Sequence, residues 1–127
     1  MSYGSDQIDF MTGANQTVDR WNGKQLGRYV CHLKEEADET CTSYFGKDFA
    51  KTLDGLVDTI VVALGGIISM GIPPDLAWAA VHRKNMSKVD GSLGPTVFRP
   101  DGQVGKPDGW TGPESELQQL IDDALNR

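Results

Sequence analysis

At 127 residues the chain is long enough for one domain with a buried core, because single cores usually serve roughly 100–200 residues. Its formal net charge of −6 and pI near 4.7 argue against a nucleic-acid polymer as partner, since such binding depends on Lys and Arg neutralising phosphates. A single nucleotide stays compatible, because a bound cation and one or two lysines can meet its phosphates.

The N-terminus, Met1-Ser2-Tyr3-Gly4-Ser5-Asp6, lacks the basic and apolar regions of a secretory signal. A first short helix is predicted around residues 7–21 with Asp6 as N-cap, broken by Asn22-Gly23. A second runs from about Lys24 to Phe45. Leu26, Tyr29, Val30, Leu33, Ala37, Cys41 and Tyr44 recur on it every three or four residues, and Gly46 is its expected C-cap. Cys31 and Cys41 fall on this helix about 15 Å apart, beyond the ~7 Å reach of a disulfide. Free thiols suit a reducing cytoplasm.

A third helix is expected from Asp48 to Met70. Leu53, Leu56, Val57, Ile60, Val61, Leu64, Ile67 and Ile68 give it a wide apolar face. Its strongest apolar run, Ile60–Ile72, is shorter than the ~18 residues of a membrane span and reads as a buried helix, so no membrane partner is expected. Val62 and Ile67 lie outside a narrow stripe and should need cover from a partner surface. Pro73-Pro74 opens a fourth helix that reaches Met86, and Gly71 ends the third. Residues 91–113 are rich in Gly and Pro, with a Pro100-Asp101-Gly102 turn between Val97-Phe98 and Val104, hence a long loop or small hairpin. A tail helix over about 113–126 carries Leu117, Leu120, Ile121, Ala124 and Leu125. The expected fold is all-α: one domain over 1–127, with an 8–88 helical core, an 89–113 loop or hairpin and a 114–127 tail helix. Trp21, Trp78 and Trp110 read as packing residues.

Two acidic clusters carry the chemistry. Glu35, Glu36 and Glu39 share an arc of about 100° with His32 on the second helix. Asp54 and Asp58 stand one turn apart at the edge of the third helix's apolar stripe. A Lys-Glu-Glu-Ala-Asp-Glu run is ordinarily a solvated face. Acids beside an apolar stripe, however, require a compensating positive charge when packed, and a hard cation such as Mg²⁺ suits oxygen ligands. At the end of the fourth helix, Asn85 and Lys88 can reach substrate phosphate, though basic residues there also suit the helix dipole. Lys106 in the loop can add a second charge as a lid.

Glu36-Ala37-Asp38-Glu39 followed by a downstream acidic pair resembles the two-helix acidic motif of MazG-type, all-α nucleoside triphosphate pyrophosphohydrolases. The resemblance extends through Asp54–Gly65, Gly71-Ile72 and Trp78–Lys88, which are typical of phage and bacterial phosphoribosyl-ATP pyrophosphohydrolase-like members. Asp9–Val18 resembles their N-terminal helix and Arg99–Lys106 their tail, so the likeness covers about residues 8–106. It implies a four- to five-helix bundle assembled as a dimer or dimer of dimers (homodimer or homotetramer), acting in the cytoplasm, the host's if phage-encoded. It implies an Mg²⁺-dependent enzyme, with Mn²⁺ as substitute cation, that releases nucleoside monophosphate and pyrophosphate from a nucleoside triphosphate.

Residue by residue, Glu36 and Glu39 match the family's first motif, Glu35 is an adjacent acid, and Asp58 matches the final acid of the second. The family often has Glu three residues before that Asp; here the position is Gly55, preceded by Asp54. Either Asp54 takes the ligand role or the site holds fewer ions. On this reading Glu36, Glu39, Asp54 and Asp58 bind metal, Glu35, Glu36 and Glu39 are the catalytic candidates with Glu35 activating water, and Asn85, Lys88 and Lys106 hold phosphate. Gln16 and, more weakly, Asn22 read the base. Two alternatives stand beside it: a non-catalytic acidic helical dimer that binds another protein, and a narrower pyrophosphohydrolase for dUTP, phosphoribosyl-ATP or an alarmone.

Overall fold

A computed structural model describes residues 2–127, and the chain is all-α. Its five helices are α1 (Tyr3–Gly13), α2 (Gly23–Phe45), α3 (Phe49–Ser69), α4 (Pro74–Ser87) and α5 (Glu114–Leu125). By its contacts the chain divides into two compact units. The first runs up to Pro74 and takes in Ala124–Arg127, and the second is Asp75–Asp123.

The first unit is organised by an α2–α3 hairpin with α1 against α3. The helices run antiparallel because only three residues connect them, and contacts pair Tyr29 with Gly65 and Thr40 with Gly55. Each start is capped by a short polar side chain: Asn22 Oδ1 accepts from Gln25 N, and Asp48 Oδ1 accepts from Lys51 N, both at 3.1 Å. Gly46 is the C-cap of α2, as its position suggests. The chain then enters the left-handed region at Lys47, with φ of 60°, before Asp48.

The first helix differs from expectation. It spans Tyr3–Gly13, capped by Ser2 through a reciprocal Ser2–Ser5 capping box, and Asp6 sits in its first turn rather than at its cap. Residues 14–22 are irregular because a polar knot captures them. Gln25 Nε2 donates to Thr17 O and to Ser69 Oγ, each at 2.8 Å, while Gln25 Oε1 accepts from Thr17 N at 2.9 Å. Trp21 bridges to Met70, and Asn22 N donates to Ser69 O at 2.7 Å. Gly71 closes this corner with φ of +72°; a Cβ there would also lie 2.9 Å from the Arg20 carbonyl carbon and Trp21 N.

The core of the first unit includes Met11, Val62 and Ile68. Val62 is therefore not a surface residue awaiting cover, since it lies on the α3 face that also carries buried Gly55, Gly65 and Gly66. The α3 residues left in solvent include Leu53, Leu56, Val57 and Ile60, each half or more exposed. By length and composition the whole of α3 is apolar enough to cross a bilayer, because it begins about three turns before the Ile60–Ile72 run. Its buried glycine-rich face is nevertheless that of a helix packed on other helices.

In the second unit, α4 and the 88–113 segment are tied together by Trp110. Its Nε1 donates to Lys84 O at 3.0 Å and to Ser87 Oγ at 3.1 Å, and Lys84 Nζ donates to Thr111 Oγ1 at 3.0 Å. Arg83 pairs with Glu116 of α5. The expected hairpin is present in small form: Phe98 bridges to Val104, and Gly102 N closes the turn onto Arg99 O at 2.9 Å. Trp78 is 73% exposed, so it is not a packing residue of this chain.

Candidate functional site

The acids of the two helices meet across the hairpin. A cleft of about 510 Å³ is lined by Glu36, Glu39, Asp54 and Asp58, with Thr40, Ser43 and Lys51 among its other walls. Helical spacing explains the convergence: 36 and 39 share a face of α2, 54 and 58 share a face of α3, and the antiparallel hairpin turns them toward each other. Among the described residues no group of three His, Cys, Asp or Glu side chains stands close enough together to hold a metal ion. The acids instead line an open cleft, a donor arrangement suited to a cation that keeps water and substrate oxygens in its shell.

Glu36 is oriented from behind by His32, whose Nε2 lies 3.0 Å from Glu36 Oε1. Glu39, Asp54 and Asp58 have no ion pair among the described residues. Glu35 is exposed and lines neither this cleft nor its neighbour, so the structure does not bring it to the acids that were expected to surround it.

Gly55, at the position where an acid would otherwise be expected, is buried against α2. A Cβ there would stand 2.2 Å from Thr40 Oγ1 and 3.1 Å from Thr40 Cβ. Thr40 in turn donates to Glu36 O at 2.7 Å. A close helix approach thus occupies the space of a fifth acid, leaving Asp54 beside it as the acid that faces the cleft.

A second cleft of about 450 Å³ adjoins the first and shares Glu36 and Asp58 with it. Its other walls include Gln7, Gln16, Gln25, Arg28 and Tyr29. The Tyr29 hydroxyl donates to Gln16 Oε1, and burial pushes the phenol pKa up despite that hydrogen bond and the neighbouring Gln7 amide. Gln16 is thus at this wall, where sequence reasoning put a base reader. Asn22 is not: its Oδ1 caps α2 and its Nδ2 donates to Thr17 Oγ1 at 2.9 Å, so its amide is consumed by structure. Gln7, Arg28 and Tyr29 were not singled out from the sequence, because amide and phenol groups on a helix have no distinguishing spacing. Only the Gln7–Gln16 separation around the end of α1 places them together.

Asn85, Lys88 and Lys106 belong to the second unit, where they cluster with one another. Lys88 Nζ lies 3.5 Å from Asn85 Oδ1 and 4.6 Å from the Trp110 ring centre, and Lys106 Nζ lies 5.4 Å from the same centre. Two ammonium groups are held at one indole by cation–π attraction. Trp110 is therefore the shared neighbour of both lysines as well as a packing residue.

No individual curated protein matches the chain. The sequence profile of the phosphoribosyl-ATP pyrophosphohydrolase family matches residues 15–85, more than half of the chain, including all the acids of the first cleft. The chain belongs to the phosphoribosyl-ATP pyrophosphohydrolase family.

Proposed function

We propose that the protein hydrolyses a nucleoside triphosphate to the monophosphate and pyrophosphate, with Mg²⁺ (or Mn²⁺ in its place) held by Glu36, Glu39, Asp54 and Asp58. The observation that carries this reading is the sharing of Glu36 and Asp58 by two adjoining clefts, one carboxylate-rich and one amide-rich. A nucleotide has the same division, an anionic phosphate chain at one end and a planar hydrogen-bonding base at the other. The family's reaction class, release of pyrophosphate, agrees with it.

When bound, the cation supplies neutralisation of phosphate charge and acidifies a coordinated water. The chain's own groups do the rest. His32 fixes the rotamer of Glu36, so that carboxylate enters the cleft pre-oriented. Glu39, exposed and without an ion pair among the described residues, has two carboxylate oxygens, so one would hold the cation and the other would accept a proton from the attacking water. Gln16, held by Tyr29, contacts the base. Within the second unit, Lys88 with Asn85, and Lys106, form a cationic cluster of a kind that suits phosphate oxygens. Self-association belongs to the same reading, because α3 leaves an apolar stripe uncovered. A non-catalytic protein-binding dimer would have no use for carboxylates facing one another across a cleft.

The test is a panel of ribo- and deoxyribonucleoside triphosphates with Mg²⁺, read as monophosphate plus pyrophosphate, beside a Glu36→Gln/Glu39→Gln variant. Turnover should fall by at least about 10²-fold in the variant. The Mg²⁺-dependent rise in melting temperature should vanish with it. An unchanged Mg²⁺ shift in the variant, or no turnover of any nucleotide by the native protein, would overturn the proposal.

A further inference from the structure

Tyr29 occupies a notch that only a residue without a side chain leaves open. A Cβ on Gly65 would lie 2.2 Å from Tyr29 Cε1, so the ring is seated directly over the α3 backbone and has little freedom to turn. Seated there, its hydroxyl donates to Gln16 Oε1. Gln7 on α1 completes the group. It is only 5% exposed and its Nε2 has no hydrogen-bond partner. All three side chains line the amide-rich cleft, together with Arg28. The remaining amide there, Gln25, is satisfied at both ends by Thr17 and Ser69 and has nothing to offer a ligand.

The structure gives this hydrogen-bond chain its polarity. The phenol's single proton goes to Gln16 Oε1. With the Gln16 oxygen taken, its Nε2 is the end left over, and among the described residues that nitrogen has no acceptor. Gln7 Nε2, also only a donor, is unspent but buried, so the donors left for a ligand are Gln16 Nε2 and the exposed Arg28 guanidinium, which cannot accept. The wall away from the acids therefore offers N–H donors.

We infer that Tyr29 is a positioning residue that locks the Gln16 amide with its nitrogen toward the ligand, making the cleft selective for a base carrying a carbonyl oxygen over one carrying an amino group at the same position. This rests on the reading that the cleft holds the base of a nucleotide. An amino group there would face donors with no acceptor, and the mismatch leaves buried polar groups unpaired on both sides.

Two matched pairs test it: inosine against adenosine triphosphate, and uridine against cytidine triphosphate, each compared by kcat/KM with Mg²⁺. The native protein should favour the oxo member of at least one pair about tenfold, the effect of one exchanged hydrogen bond. Tyr29→Phe keeps the ring in its notch but frees the Gln16 amide to rotate, so the ratio should fall toward one. Gln16→Glu replaces the donor by a second acceptor and should reverse the preference, a change that a purely structural role for residue 16 does not produce. Turnover with equal oxo and amino rates in the native protein, or a preference that Tyr29→Phe and Gln16→Glu both leave intact, overturns the inference and leaves the hydrolase reading standing. Loss of turnover on every nucleotide in the native protein overturns both.

Discussion

Position 55 shows how one residue can be legible in type and misread in cause. From sequence, Gly55 is a missing ligand beside Asp54. In the structure it is a contact, because α2 and α3 approach so closely there that a Cβ would sit 2.2 Å from Thr40 Oγ1. Restoring an acid at 55 would therefore separate the helices before it supplied a carboxylate. Gly55→Ala should cost about 1–3 kcal/mol, the usual penalty for overpacking a tight contact. Thr40→Ala in the same background should recover part of it, since the nearest clashing atom is removed. Urea unfolding of the two variants measures both effects, and a neutral Gly55→Ala would mean that the helices separate freely at this point.

The acids at 36, 39, 54 and 58 were legible because helical periodicity alone puts each pair on one face and a short connection makes the two helices antiparallel. Glu35 was not separable from them in sequence, since it is adjacent to Glu36. It takes the actual helix rotation to show that it lines neither cleft. Asn22 failed for the opposite reason: a residue able to read a base is equally able to cap a helix, and the local backbone claims it first.

At the scale of elements, the interior helices were readable and the ends of the chain less so. The limits of α2, α3 and α4 follow from Asn22, Asp48, Gly71 and Pro74, each a residue whose backbone or side-chain chemistry stops or starts a helix. The end of α1 is set by long-range capture instead. Thr17 is drawn into bonds with Gln25 from 8 residues away, and no local signal reports that. The 88–113 segment is similar: its turn was visible at Pro100-Asp101-Gly102, but its attachment to α4 depends on a single indole. Trp110→Phe keeps an aromatic ring beside Lys88 and Lys106 while deleting the donor to Lys84 O and Ser87 Oγ. Loss of that anchor, worth about 1 kcal/mol or somewhat more, should raise amide hydrogen exchange across 91–113 by roughly five- to tenfold. Exchange in α2 and α3, which lie in the other unit, should not change. Equal protection of 91–113 in the variant would show that the hairpin and the Lys84–Thr111 bond hold the segment without the indole.

For the whole molecule the telling feature is the face of α3 turned away from α2. Leu53, Leu56, Val57 and Ile60 recur at helical spacing, and all are half or more exposed, Leu53 at 64%. Around the helix axis their mean direction lies about 130° from that of Asp54 and Asp58. A partner seated on the stripe would therefore leave the acid cleft accessible. A second copy of the chain is the occupant that such a face fits most simply, since two identical apolar stripes are complementary under a twofold axis. Charge substitution discriminates between a buried and a solvated stripe. On a surface that stays in water, Leu56→Arg/Ile60→Arg should change stability by no more than about 0.5 kcal/mol per site. In an interface, each buried guanidinium lacks a partner and the assembly comes apart. Sedimentation velocity at micromolar protein should show the native chain as a dimer or larger, with a melting temperature that rises with concentration. The double variant should sediment as a monomer whose melting temperature is lower and independent of concentration. A native protein that sediments as a monomer, with a double variant of equal stability, would mean that the stripe is open to water in the working molecule and that the hairpin is held by its α2-facing glycine side alone.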